Sequence, residues 1–436
     1  MRKTAVFKSV LADDDSLDRA CKSIPEEACR HSARNYRANL MNGAASKLAE
    51  QAAGPNLVIP WLLQAIGTPV WILGFVMPLK QTFSLLPQMV TAGYIRTLGI
   101  RKTVWTVSGF IQALCLLLMI PSAIYLTPVQ AGISVLLLLI VFSTASGTAS
   151  VAFQDVLGKT IDKGQRGRLL SSRAFAGGIL TIAAGLVIGR LKGGSLITLY
   201  MLVVFGAVLW IISSLFFQSI KEYPGAVKGG RNAFRETAAG FALFRQYKGF
   251  RQYLYGRIAL NIIEIAVPFY AFYASELLGT SKAGLGLFMT AIGVSQVISS
   301  PFWGRAADET SRKVMIQSAL ISVAAAVLAV VCYFLTDHLA VYAGLLTAFV
   351  LIGLAEAGVR LGRKTYLVDA TPAENKSTFT AFSNSAVGIL SLFAGLLGLL
   401  AEKTGAAGII AVIGAMSLIA VFAAARMPEA DDMLKD

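Results

Sequence analysis

Long apolar runs separated by short polar breaks dominate the chain, and they recur at intervals too regular for a mixture of elements. Read between their Gly, Pro and charge punctuation, they predict twelve helices, over 37–66, 70–95, 103–125, 129–155, 168–189, 195–218, 250–277, 282–304, 314–335, 339–366, 377–400 and 406–425. About 20 apolar residues cross a hydrocarbon core roughly 30 Å thick, so each run has the length of a membrane span. The expected fold class is therefore an all-α polytopic membrane protein with twelve transmembrane helices.

The breaks alternate in charge. One set carries Arg96, Arg101 and Lys102, then Lys159 to Arg168, the stretch Lys221 to Lys248, then Arg305, Arg312 and Lys313, and finally Lys376. The other set holds few cations, chiefly Arg190, Lys192, Lys282 and Lys403. Cationic loops stay on the cytoplasmic side, so both termini are expected there. This accounts for a net charge of +15 without invoking nucleic acid. It also fits a chain of 436 residues that is 56% hydrophobic and only 14% charged, with mean hydropathy +0.65. Soluble domains carry about a quarter charged residues.

Weight by weight, other chemistry has little to build on. Cys115 and Cys332 fall inside apolar runs, while Cys21 and Cys29, in the N-terminal arm, are expected as free cytoplasmic thiols. Arg2, Lys3 and Lys8 are followed by Asp13, Asp14 and Asp15 rather than an apolar stretch, so no secretory signal is expected. His31 and His338 are the only histidines, which disfavours a metal or histidine-based centre. Gly158-Lys159-Thr160 resembles the end of a phosphate loop, but Phe153 stands at its first glycine position. No helix carries a recognisable nucleophile and base set, so neither an enzyme nor a cofactor is expected.

The chain repeats itself. Ile59-Pro60 answers Val267-Pro268, Gly67-Thr68 answers Gly279-Thr280, and the loop Ala92 to Lys102 falls on Gly304 to Lys313 plus one residue. In that register Gly99 matches Ser311 and Arg101 matches Lys313, but Arg96 stands where the second copy has Asp308. The division expected is a cytoplasmic arm (1–36), a six-helix bundle (37–218), a basic cytoplasmic linker (219–249), a second six-helix bundle (250–425) and a tail (426–436).

Ionisable residues at membrane depth are costly and belong on surfaces that face protein or a water-filled cavity. Helices 3, 6, 9 and 12 contain none, whereas helices 1, 7 and 10 contain several. On helix 1, Lys47, Glu50 and Gln51 share a face, with Glu50 about 20 Å in by helix rise, and Gly54-Pro55-Asn56 interrupts the helix just beyond. Lys80, about 15 Å from the outer end of helix 2, is the expected partner of Glu50, with Gln81 beside it. Helix 7 repeats the device with Arg257, Asn261 and Glu264, and helix 10 adds Glu356 and Arg360. Tyr270 is the aromatic placed to touch a ligand, whereas Arg173, Arg363 and Lys364 are expected to snorkel to the cytoplasmic surface. Asp155 is expected to pair with Lys159 in solvent.

The stretch Gly304-Arg-Ala-Ala-Asp308-Glu-Thr-Ser-Arg312-Lys313 resembles the loop signature of the major facilitator superfamily of secondary transporters, with Ser311 where glycine is usual. The resemblance covers residues 37–425. It implies two parallel six-helix repeats with helices 1, 4, 7 and 10 around a central cavity, and alternating access to a site between the halves. It implies that Gly304, Asp308, Arg312 and Lys313 form a conformational latch, with Asp308 and Arg312 holding the cytoplasmic ends of helices 8 and 11. Two motifs of proton-driven drug antiporters in that superfamily are missing: Ser143 stands in place of an arginine, and Ala176-Gly177-Gly178 has no proline.

The expected function is transport of a small organic solute, anionic or zwitterionic because Lys47, Lys80 and Arg257 outnumber Glu50 and Glu264, driven by a proton gradient through one of those carboxylates. Export of amphipathic compounds is the alternative within transport. A non-transporting assembly factor or sensor is the alternative outside it. The expected partners are a small-molecule solute and the lipid bilayer, not nucleic acid. The expected setting is a monomer in the cell membrane, the inner one in a Gram-negative organism.

Overall fold

The computed structural model describes residues 26–190, 196–224, 233–278, 284–371 and 376–435. Its described residues form helices and connections, without a strand. Backbone amides and carbonyls removed from water must bond one another, and a helix satisfies them within one segment. After a single turn, α1 (Glu26–Cys29), the first predicted span folds as α2 (Ser32–Ala52) and α3 (Val58–Ala65). Then follow α4 (Val70–Arg96), α5 (Lys102–Tyr125), α6 (Pro128–Thr160), α7 (Lys163–Arg190) and α8 (Leu196–Gln218). Within the linker lies α9 (Ala233–Gln246).

The seventh span divides into α10 (Lys248–Ile265) and α11 (Val267–Leu278), and α12 (Leu285–Glu309), α13 (Ser311–Cys332) and α14 (His338–Ala370) come next. The eleventh runs through α15 (Lys376–Ala394) into the start of α16 (Leu396–Ala425). Gly405, at φ 73°, turns the chain there and separates the twelfth. Among the described residues nine segments are long and apolar enough to cross a membrane.

The two broken spans have the same cause. Pro55 has no N–H to give the carbonyl of Gln51, and Pro268 has none for Glu264, so each helix loses a rung just past its charged stripe. Polar backbone is thereby freed inside the protein, where it can be tolerated only if it faces protein or water.

Helices α2 to α8 pack mainly on one another, α10 to α16 likewise, and the two groups meet along α7 with α12 and along α4 with α15 and α16. Small residues make these meetings close, because without a hydrophobic drive between spans the contact depends on backbone approach. A Cβ on Gly74 would run into the backbone of Gly398, and one on Gly185 into that of Gly286. Ser275 donates to Gln64 across the same end of the molecule. In the middle, the hydroxyl of Thr82 donates to the Gly388 carbonyl at 2.5 Å. These contacts concentrate in the middle and at the end away from the basic loops. At the basic end Arg168, Leu170, Ser171 and Phe302, on α7 and α12, are exposed. The halves are closed at one end and parted at the other.

At the basic end, each group of helices is tied by an acid beyond its last span. Glu222 lies four residues past Gln218, and Glu429 four past Ala425. The Glu222 carboxylate, fully buried, accepts from the Arg101 and Lys102 amides at 2.9 and 2.7 Å and pairs with Lys159 at 2.9 Å. Asp155 pairs not with Lys159 but with Arg101, at 3.0 Å. Arg312 reaches Glu429 at 3.0 Å and the Ala425 carbonyl. Its bonds therefore tie α13 to the end of α16 rather than holding helices 8 and 11 together in this state. Lys313 is exposed, and the burial of Gly304 and the side chain of Asp308 lie outside what is described, as do Gly279 and Thr280. Cys29 is not a free thiol but disulfide-bonded, to a partner outside the described residues.

A valine at position 74 cannot be seated without separating α4 from α16. Gly74→Val is expected to open the end away from the basic loops. Labelling of a cysteine introduced at Gln64 by a membrane-impermeant thiol reagent should then rise several-fold, and unchanged labelling contradicts this closure.

Candidate functional site

Behind the helix breaks, charged side chains from both halves converge at mid-span. Lys47 and Glu50, a turn apart on α2, form an ion pair at 2.7 Å. Opposite them on α14, Arg360 and Glu356 pair at 2.7 Å. Below the break in the seventh span, Glu264 pairs with Arg363 of α14 at 3.3 Å and accepts from Gln81 at 3.4 Å. Lys47, Glu50 and Arg360 have 38%, 42% and 44% of their side-chain surface accessible although helices of both halves surround them. That surface faces accessible space between the halves.

The partners differ from those the spacing suggests. Glu50 is held by Lys47, three residues away, and not by Lys80, although Lys80 and Arg360 both lie within its electrostatic reach. Arg363 does not snorkel outward but turns inward to Glu264. Arg173 turns inward too, donating to the backbone and side-chain oxygens of Asn39 at 2.9 and 3.2 Å and lying over the Phe153 ring. Sequence reasoning passed over Arg363 because it lies within snorkelling reach of the surface. The signal was present: Glu356, Arg360 and Arg363 follow an i, i+4, i+7 stripe.

A second layer connects the halves through neutral groups. Asn261 donates to Ser391 at 2.8 Å, Ser391 donates to Gln81 at 3.1 Å, and Gln81 reaches Glu264. Arg257 donates to Asn384 at 2.6 Å. Gln51 is buried beside the stripe on α2, and Asn56, in the break, has a buried oxygen with no partner. Tyr270 is fully buried against Phe349, with its hydroxyl unbonded, and so is not on the cavity wall in this state. Asn261 and Ser391 also form the polar floor of a groove of about 420 Å³ whose rim, Leu390, Phe393, Leu396 and Ile419, faces outward.

The charges do not balance. Each of Glu50, Glu264 and Glu356 has one cation, namely Lys47, Arg363 and Arg360. Lys80, Arg257 and Lys364 have no carboxylate within 4.0 Å among the described residues. All three lie within electrostatic reach of the paired groups. Among the described residues, this part of the molecule therefore carries more positive than negative charge.

Residues 257–433 match the family model of the Major Facilitator Superfamily. The fold resembles the nucleoside transporter NupG, with TM-score 0.69 and 17% identity over 89% of this chain and 99% of that one. It also resembles a D-xylose-proton symporter, with TM-score 0.67 and 14% identity over 91% and 98%. In sequence, uncharacterized proteins of Mycobacterium tuberculosis and Mycobacterium bovis are 24% identical over 291 residues. That alignment takes in 65% of this chain and 56% of those relatives, so the match spans about half their length.

An unpaired, half-buried cation at membrane depth is a burden on the empty protein. Lys80→Met is expected to raise its stability by about 1 kcal/mol or more. A thermal melt in detergent in which Lys80→Met unfolds below the wild type contradicts the unpaired placement.

Proposed function

We propose that this chain, a member of the major facilitator superfamily by its matched C-terminal half and its whole-chain fold, is a secondary active transporter of a small organic anion. The observation that carries this is the surplus of cations, Lys80 and Arg257 with the exposed Lys364 nearer the basic end, beside carboxylates that are already paired. A negatively charged solute completes that set. A neutral one leaves the repulsion in place.

With the basic loops taken as cytoplasmic, the cavity opens inward and the Gly74–Gly398 and Gly185–Gly286 contacts close the outer side. Transport then consists of closing the basic end around the bound solute and parting these contacts. Lys47, Glu50, Gln51, Asn56, Lys80, Gln81, Arg257, Asn261, Glu264, Glu356 and Arg360 are the residues assigned to solute binding or coupling, joined by Arg363 and Lys364. Gly304, Asp308, Arg312 and Lys313 are assigned to the latch of the closed basic end, for which Arg312 must leave Glu429.

Glu50 and Glu264 are the proposed proton acceptors, because each carboxylate is held by one cation and a neighbouring solute can compete for that cation. An amphipathic solute is the second reading, favoured by the outward-facing groove above Asn261 and Ser391. A screen of carboxylates, phosphate monoesters and amphipathic cations by thermal shift separates the two.

In proteoliposomes containing the full chain, uptake of the anion so identified is expected to follow an imposed pH gradient. Glu50→Gln or Glu264→Gln should abolish that dependence while solute exchange persists, and coupling through these residues is wrong if both variants remain gradient-driven. Asp308→Asn is expected to lower transport several-fold at unchanged expression. Unaltered transport would remove Asp308 from the latch.

A further inference from the structure

Between the charge layer and the closed end lies a cluster of aromatic rings drawn from both halves. Trp61, on α3, meets Phe288 of α12 at 6.1 Å between ring centroids. Phe288 stacks on Phe349 of α14 at 4.4 Å, and Phe349 meets Tyr270 of α11 edge-on at 6.2 Å. Trp61, Tyr270, Phe288 and Phe349 are all fully buried. The Trp61 and Tyr270 rings each carry one hydrogen-bond donor, and neither the indole N–H nor the phenol O–H has a partner.

Buried donors without acceptors are rare in folded proteins, and each calls for a reason. At Tyr270 a phenylalanine fills the same space and leaves no donor stranded. Both donors stand just past a helix break, Trp61 after Gly54-Pro55-Asn56 and Tyr270 after Pro268, on segments that the breaks free to tilt. They also stand on opposite halves, so parting the outer contacts exposes both to whatever occupies the cavity. Flat aromatic walls with an unpaired donor at each end suit a planar group that accepts hydrogen bonds, such as a ring nitrogen or a carbonyl.

We infer that Trp61, Tyr270, Phe288 and Phe349 form a second subsite, which takes a planar, hydrogen-bond-accepting ring at the far end of the solute from its anionic group. This rests on the reading of the cation layer as an anion site and adds a recognition element to it. The solute is then two-ended: an anionic group held by Lys80, Arg257 and Lys364, and an acceptor-bearing ring that satisfies Trp61 and Tyr270. The ring supplies what water supplies when the outer end opens empty, so binding favours departure from the closed state.

Matched probes test the inference on the purified full chain: benzoate against pyridine-3-carboxylate, and phenylphosphonate against pyridine-3-phosphonate, each read as thermal stabilisation over a concentration series. The wild type is expected to bind the pyridine member of at least one pair about tenfold more tightly, the worth of one hydrogen bond to a donor that is otherwise stranded. Trp61→Phe or Tyr270→Phe should erase that preference, and Tyr270→Phe, which removes only the hydroxyl, should not melt lower than the wild type when ligand-free. Lys80→Gln should weaken both members of a pair alike. A preference that survives in both phenylalanine variants overturns the subsite. So does a ligand-free Tyr270→Phe protein melting several degrees lower, since its hydroxyl is then bonded within the fold. Anion binding with no ring preference overturns the subsite alone, whereas no response to any of the four probes overturns the anion site and the subsite with it.

Discussion

Charge inside a membrane must be matched by water, by protein or by a ligand, and in this chain the match is incomplete. The cost of each unmatched cation runs to several kcal/mol in a dry interior. Beside the unmatched cations the ion-paired Lys47, Glu50 and Arg360 keep much of their side-chain surface accessible, which requires the halves to part at the basic end. Parting there is possible because the contacts at the other end are made by glycine backbones that approach closely without side chains between them. The cavity, the closure and the surplus charge are thus one arrangement. Filling the cavity with an anion removes the reason for keeping it wet.

Polar breaks in the first and seventh spans give this arrangement its working parts. On the basic side of each break is a charged stripe, and on the other side an aromatic segment that closes against the opposite half. Pro55 and Pro268 uncouple the two, so the aromatic segment can move without dragging the stripe with it. The basic end is organised otherwise: Glu222 and Glu429, each four residues past the last span of its half, fix the loops that the repeat had marked. The first half, which has Arg96 where the second has Asp308, is anchored by Glu222 and Asp155.

Much of the fold was legible because the bilayer imposes period and length on the sequence. Spans, breaks and the charge-free outer helices follow from where apolar runs stop. The site was legible only as a set of stripes. That Lys47, Glu50, Glu264, Glu356 and Arg360 converge follows from their depth and their helices, but which cation holds which carboxylate does not. Glu50 takes Lys47 over Lys80 because a neighbour one turn away on the same helix needs no second helix to be placed. Arg363 was hidden by its closeness to the surface, and the role of Glu222 by a linker whose composition reads as merely basic. Trp61 gave no signal at all, since an aromatic in an apolar run is ordinarily core, and what sets it apart in the packed structure is an unpaired N–H together with a ring contact to Phe288 of the other half.

Distances between spin labels at the two ends, on the same reconstituted protein, test the central claim most directly. Labels at Arg168 and Asp369 report on the basic end, and labels at Tyr125 and Leu339 on the other, all four positions being exposed. If the surplus cations hold the cavity open until an anion fills it, a bound anion shortens the first distance and lengthens the second. Distances that stay fixed, or that change in the same direction, contradict the account.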